Sequence, residues 1–166
     1  FMLLGQLGLS HDHHGRHLLP IGTVYDPFVL RGLDALIYGI YNDAKFVVAG
    51  TPAGVTLAPE GGAHQSTITA SVGAELPNLT YFEPAFATEV DWILCDALDQ
   101  LGRPDGMSAY LRLSTRPIDQ QPFAVLGGPN QTDAFADELT AAKIMCMGCS
   151  TASATKFMQD RSPYAW

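Results

Sequence analysis

Positive charge is scarce in this sequence: 9 Lys and Arg stand against 17 Asp and Glu, giving a formal charge of −8. Nucleic acid and anionic membranes both recruit basic surfaces, so neither is expected as a partner. No apolar run approaches the roughly 20 residues needed to span a bilayer. Only three cysteines occur, Cys95, Cys146 and Cys149. An odd number at uneven spacing is no disulfide framework, and a reducing, cytoplasmic setting is expected. The patterns GxxxxGK[ST], GxGxxG and GxSxG are all missing, which removes glycine-loop nucleotide binding and nucleophile-elbow hydrolysis. The opening FMLLGQLGLS has no basic leader and no cleavage site, so it does not read as a signal peptide. It begins in mid-pattern without Met, and is read as an excerpt of a longer chain.

What is present is a globular composition. Of 166 residues, 47% are hydrophobic and 16% are charged, the latter below the average of roughly 25%. The length suits one domain that buries its own core, so residues 1–166 are expected to form a single domain. The low charge has two explanations: a face covered by a subunit or neighbouring domain, or a compact enzyme core.

Hydrophobic patterning predicts alternating elements. Phe1 to Leu9 reads as the tail of an amphipathic helix ended by Gly8 and Ser10, followed by the polar turn HDHHGRH. A buried strand is expected over Leu18 to Tyr25, with Asp26 as N-cap and Pro27 opening a helix to about Asn42. A strand over Lys45 to Gly50, with an unbroken apolar run after the lysine, suits burial on both faces of a parallel sheet. A Gly- and Pro-rich loop, Thr51 to Ala63, precedes a helix from His64 to Glu75. Then come a strand at Leu79 to Phe82, a helix opened by Glu83–Pro84 and reaching Leu101, and a strand at Ser108 to Ser114. The order predicts an α/β fold: an open, mainly parallel twisted sheet with helices on both faces. Ligands in such sheets bind beyond the carboxyl ends of the strands, so the loops Tyr25–Phe28, Thr51–His64 and Ser114–Pro117 matter most. Further on, an edge strand is expected at Phe123 to Leu126, a helix at Asp133 to Ala142 and a strand at KIMCMG.

Several side-chain groups invite chemistry. His11, His13, His14 and His17 cluster, but no recognised zinc spacing accompanies them, and a solvated turn explains them. Cys146 and Cys149 form a CxxC, which is either a redox pair or two small buried residues. The stretch AGTPAGVTLAPEGGAHQS brings the Glu60 carboxylate and the His64 imidazole to the ligand rim, with Gly61 and Gly62 permitting close backbone approach. The two can bind a polar substrate and move protons, and His64 opening a helix favours an anionic group; the alternative is a purely structural N-capping loop. Tyr25 and Phe28, three apart at a strand end, either present a flat face to a ring-shaped ligand or pair in the core.

LLPIGTVYDPF and AGTPAGVTLAPEGGAHQS together resemble the central, pyrimidine-binding domain of the transketolase superfamily of thiamine-diphosphate enzymes. The nearest likeness is to the homodimeric decarboxylating component of the pyruvate dehydrogenase complex. LTYFEPA and LRLSTRP follow in order, and the resemblance covers about residues 1–118. It implies a thiamine-diphosphate-binding fold of the pyrimidine type, with the cofactor shared across a homodimer interface. The second subunit's diphosphate-binding domain then holds the magnesium or calcium ion, which this chain does not bind. Phe28 matches the aromatic that stacks on the pyrimidine, with Tyr25 beside it. His64 matches the substrate-contacting histidine, and Glu60 stands where transketolases carry an aspartate. Arg116 lies near a phosphate-binding arginine. The family's cofactor-activating glutamate belongs to a helix ahead of the piece matching Phe1, and no residue here matches it.

The resemblance implies a fragment of a pyruvate or other 2-oxo acid dehydrogenase: the full enzyme would pass an acetyl unit to lipoamide, and the fragment is expected to be inactive in isolation. Two rivals remain: ketol transfer between sugar phosphates, as in transketolase, and a noncatalytic dimerisation or interaction domain. Redox chemistry at Cys146 and Cys149 is a further alternative.

Overall fold

The structure, a computed structural model, describes residues 1–120. Two short helices, α1 (Met2–Gly8) and α2 (Ser10–His14), precede strand β1 (Ile21–Val24). A 3-10 segment, Asp26–Gly32, leads into α3 (Leu33–Tyr41) and then β2 (Val47–Gly50). After two more 3-10 turns, Val55–Glu60 and Gly62–His64, come α4 (Thr69–Glu75), β3 (Leu79–Phe82), α5 (Ala87–Leu101) and β4 (Ser108–Arg112).

The four strands form one all-parallel sheet in the order β1-β2-β4-β3. Right-handed crossovers then dictate where the helices go. The chain steps in one direction from β1 to β2 and on to β3, then reverses to β4. Helices α3 and α4 therefore cover one face and α5 the other. The core follows this division because side chains alternate along each strand. Val48, Leu79 and Tyr110 pack with Val29, Leu36, Ile40 and Phe46 on the first face. Val47, Phe82, Ala109 and Leu111 pack with Ile93, Ala97 and Leu101 of α5 on the second. The expected α/β architecture, with helices on both faces, is what the chain adopts.

Four local expectations are corrected. Among the described residues β1 is an edge strand rather than a buried one: β2 alone flanks it, and Ile21 is 50% exposed. HDHHGRH is partly helical: Ser10 does not terminate a helix but starts α2, and its Oγ accepts the Leu18 N–H at 3.1 Å. Asp26 is not an N-cap; it lies inside the 3-10 segment and is fully buried. The helix expected from His64 starts only at Thr69. Ser66, with φ of 49°, turns the backbone out of the helical path between them.

Helix α5 shows why its start lies beyond Glu83–Pro84. The Glu89 carboxylate accepts the N–H groups of Ala85 and Phe86 at 2.8 and 2.9 Å, satisfying donors that precede the first turn. No described helix is long and apolar enough to cross a membrane. The strand and helix expectations at Phe123–Leu126, Asp133–Ala142 and KIMCMG lie outside the described residues.

Candidate active-site rim

Parallel strands bring their carboxyl ends to one edge, and each is followed at once by a polar or flexible residue. Tyr25 and Asp26 follow β1, Gly50 closes β2, Glu83 follows β3, and Arg112 closes β4. The candidate site is built on this edge.

The 3-10 geometry after β1 sorts its residues into two rows. With three residues per turn, side chains three apart eclipse. Asp26 and Val29 therefore both point inward, each 0% exposed. Tyr25, Phe28 and Arg31 share the outer row. The Tyr25 and Phe28 rings meet edge to face, centroids 5.3 Å apart and planes 81° to each other. The Arg31 guanidinium lies 4.4 Å from the Phe28 centroid. Phe28 is 43% exposed, so the pair sits on the rim and not in the core.

The loop after β2 supplies the other half. Its two 3-10 turns are separated by Gly61, whose φ of 109° and ψ of 160° lie in a region that only glycine occupies readily. This reversal brings Glu60 and His64 back onto Tyr25. The Tyr25 hydroxyl donates to Glu60 Oε2 at 3.1 Å and lies 2.8 Å from His64 Nδ1. A Cβ at Gly62 would meet nothing within 4 Å and one at Gly61 only the His64 ring at 4.0 Å, so the expected close approach is found at neither, and glycine is required at Gly61 by its backbone angles.

Counting protons assigns the histidine. Tyr25 has one hydroxyl proton, and an ionised Glu60 can only accept. If that proton goes to Glu60, Tyr25 must accept from His64, so Nδ1 carries a proton. The reverse assignment would leave the phenol and carboxylate oxygens facing each other at 3.1 Å without a proton. In the neutral ring, Nε2 is then the free basic nitrogen. Partial burial, reinforced by the Glu60 hydrogen bond and charge, holds the Tyr25 phenol above its ordinary value, so it stays a donor.

A second, buried cluster lies beneath and was not legible as a site in the sequence. Asp26 accepts from Thr69 Oγ1 at 2.6 Å, from Arg112 Nε at 3.0 Å and from the Tyr110 hydroxyl. Arg112 also pairs with Glu83, which in turn accepts from the Tyr81 hydroxyl at 2.9 Å. Burial pushes the Tyr110 phenol up, and the Asp26 carboxylate adds to the rise. Burial also raises the Glu83 carboxyl, against the opposing pull of Arg112. Burial alone would lower Arg112, yet Glu83 and Asp26 more than offset it and hold the guanidinium charged. Gly50 makes room: a Cβ there would collide with the Asp26 carboxylate and come within 2.9 Å of the Tyr110 ring. One signal was available: an arginine in an apolar strand needs carboxylates, and Asp26 and Glu83 each stand within two residues of a strand end.

Tyr25, Phe28, Glu60 and His64 are thus brought together, whereas Arg116 is not. It is exposed beyond β4, where its backbone N–H contacts Ser114 Oγ at 3.3 Å. The N-capping alternative for Glu60 and His64 does not hold, since α4 begins at the N-cap Ile68 without a side-chain cap bond. His64 also does not open that helix, so the expected anion-favouring helix end is absent from it. His11, His13, His14 and His17 are exposed, with the His11 and His17 rings stacked at 4.0 Å. No group of three or more metal-binding side chains occurs among the described residues. Cys95 is exposed on α5, and Cys146 and Cys149 lie outside the described residues.

Comparison with known proteins agrees with this architecture. No curated protein matches the sequence. The family model described as "Pyruvate dehydrogenase E1 component middle domain" matches residues 6–114. The matched segment contains all four strands, the rim residues Tyr25, Phe28, Glu60 and His64, and the buried Asp26–Arg112–Glu83 cluster. Arg116 falls outside it. With nearly two thirds of its length matched, the chain belongs to the family of pyruvate dehydrogenase E1 component middle domains.

Proposed function

We propose that this chain forms the pyrimidine-side wall of the active site in a thiamine-diphosphate-dependent pyruvate dehydrogenase. One observation carries the proposal: in a chain of this family, a half-exposed aromatic ring and an ordered Glu60–Tyr25–His64 chain stand together at the carboxyl edge of the sheet. The residues present fit the cofactor. The Phe28 ring already accepts a planar, delocalised group, the Arg31 guanidinium, and an aminopyrimidine has the same character.

Thiamine diphosphate, when bound, supplies the carbanion chemistry. Phe28 stacks on the pyrimidine and orients it, with Tyr25 packed against Phe28. His64 offers Nε2 to the substrate, where it holds or returns a proton. Glu60, acting through Tyr25, fixes the His64 tautomer and stabilises positive charge on its ring. The diphosphate and its magnesium or calcium ion are held by the diphosphate-binding domain of a second subunit, so the working unit is a homodimer in the cytoplasm. The described residues form one domain in this account, catalytically silent by itself, and the single domain expected over 1–166 extends outside the described residues.

The substrate is a 2-oxo acid, with pyruvate first. Assay of the complete enzyme with pyruvate and with a ketose phosphate donor tests this. Decarboxylation of pyruvate without ketol transfer is the expected result. Efficient transfer from the ketose phosphate would move the chain to the transketolase branch.

A further inference from the structure

Two segments far apart in sequence carry the rim: the corner with Tyr25 and Phe28, and the loop that ends in His64 and Ser66. At the surface they are joined through the Tyr25 hydroxyl to Glu60 and His64, whose side chains are 55% and 44% exposed. Exposed polar contacts of this kind hold geometry poorly. The buried cluster joins the same two segments from below. Asp26 is covalently next to Tyr25. Arg112 Nε donates to Asp26 Oδ2 at 3.0 Å, while its Nη2 donates to the Ser66 carbonyl at 2.9 Å and contacts Ser66 Oγ at 3.3 Å. Ser66 needs such anchoring. Its φ of 49° is a conformation that a residue with a side chain rarely adopts. Thr69 Oγ1 lies 2.6 Å from both the Ser66 carbonyl and Asp26 Oδ2 and shares its single proton between them.

We propose that Arg112 is a positioning residue: by bridging Asp26 and Ser66 beneath the rim, it sets the separation of Tyr25 and His64 and thereby the proton arrangement of the His64 ring. This rests on reading Tyr25, Glu60 and His64 as the working face. Arg112 itself is 5% exposed and touches no substrate in this account. Its flat fork is essential because one guanidinium must serve a carboxylate on one arm and a carbonyl on the other, which a lysine ammonium cannot do at both distances.

The test is NMR of the histidine ring nitrogens in the full, nitrogen-15-labelled chain, with His64 assigned from the signal lost in His64→Ala. Wild type is expected to show His64 protonated at Nδ1 and distinct from the exposed histidines of α2. Arg112→Lys, with a native backbone amide spectrum, is expected to move the His64 signals toward the mixed tautomers of those exposed rings. Arg103→Lys, on an exposed ion pair in another part of the fold, should leave them unchanged. In the complete enzyme, Arg112→Lys should lower kcat by roughly 10²-fold with a smaller change in KM, as expected for misplacement on the ångström scale. If Arg112→Lys does not fold, Asp26→Asn, which keeps the shape and loses the charge, is read in the same way. Unchanged His64 signals in a folded Arg112→Lys or Asp26→Asn chain would overturn the proposal while leaving the assignment of the rim intact. Mixed tautomers already in wild type would overturn that assignment, and the proposal with it.

Discussion

His64→Ala in the complete enzyme is expected to lower kcat by about 10²–10⁴-fold, the range for loss of a positioned acid–base group, with thiamine diphosphate affinity almost unchanged. The separation of the two effects follows from the rim. Phe28 supplies the flat ring for the cofactor and lies on the corner after β1, whereas His64 comes from the loop after β2. Removing the imidazole leaves the Tyr25–Phe28 contact in place, and the Tyr25 hydroxyl keeps its bond to Glu60 at 3.1 Å. Only the proton-carrying group disappears. Steady-state kinetics with pyruvate, alongside calorimetric titration of the cofactor, separates the two quantities. Wild-type turnover in the variant would sink the role given to His64.

Arg112→Met should be the most damaging single change to stability, lowering the unfolding free energy by about 3–5 kcal/mol, as for a buried pair broken on one side. That is a large share of the 5–15 kcal/mol typical of a domain. Asp26 is 0% exposed, and removal of the guanidinium leaves its carboxylate, among the described residues, facing the Thr69 and Tyr110 hydroxyls. Glu83, already raised by burial, loses the one cation that opposes that rise. Water cannot readily reach Asp26, so the cost falls on the fold. Adding Asp26→Asn to the variant removes one stranded charge and should restore part of the loss. Urea unfolding of the single and double variants measures both. A single variant within about 1 kcal/mol of wild type, the size of an exposed pair, would show that the cluster is not the brace described here.

The sheet was legible in the sequence because it rests on local pattern. KFVVAG is apolar on both faces, and Val47 and Val48 do pack on opposite sides of a central strand. Alternation of strands and helices then implied the parallel arrangement, and the right-handed crossover rule completes it. β1 was misjudged because LLPIGTVY has the composition of a buried strand, while its place at the sheet edge depends on the order of all four strands. The helix expected from His64 failed for a related reason. Its residues tolerate helix locally, but Arg112 and Thr69 hold the Ser66 carbonyl in a turn that no nearby sequence signal announces.

The rim was legible in part. Tyr25, Phe28, Glu60 and His64 stand in two segments with a family likeness, and the fold brings them together. Arg116 is suggested by the likeness of LRLSTRP alone, and in the structure it stands exposed four residues beyond Arg112, where β4 ends. The brace of Asp26, Arg112, Glu83, Thr69 and Ser66 was not legible. Its members lie on four separate stretches, with Ser66 and Thr69 sharing one, and only the tertiary structure gathers them around the Asp26–Arg112 pair.

The most direct measurement is calorimetric titration of thiamine diphosphate into the complete enzyme, wild type against Phe28→Ala. If this chain forms the pyrimidine-side wall, losing the stacking ring should weaken binding by roughly ten- to a hundredfold, the equivalent of about 1–3 kcal/mol for an aromatic stacked on a base. Equal affinities for the two proteins would contradict the account, because the cofactor would then be held without the ring on which it is said to rest.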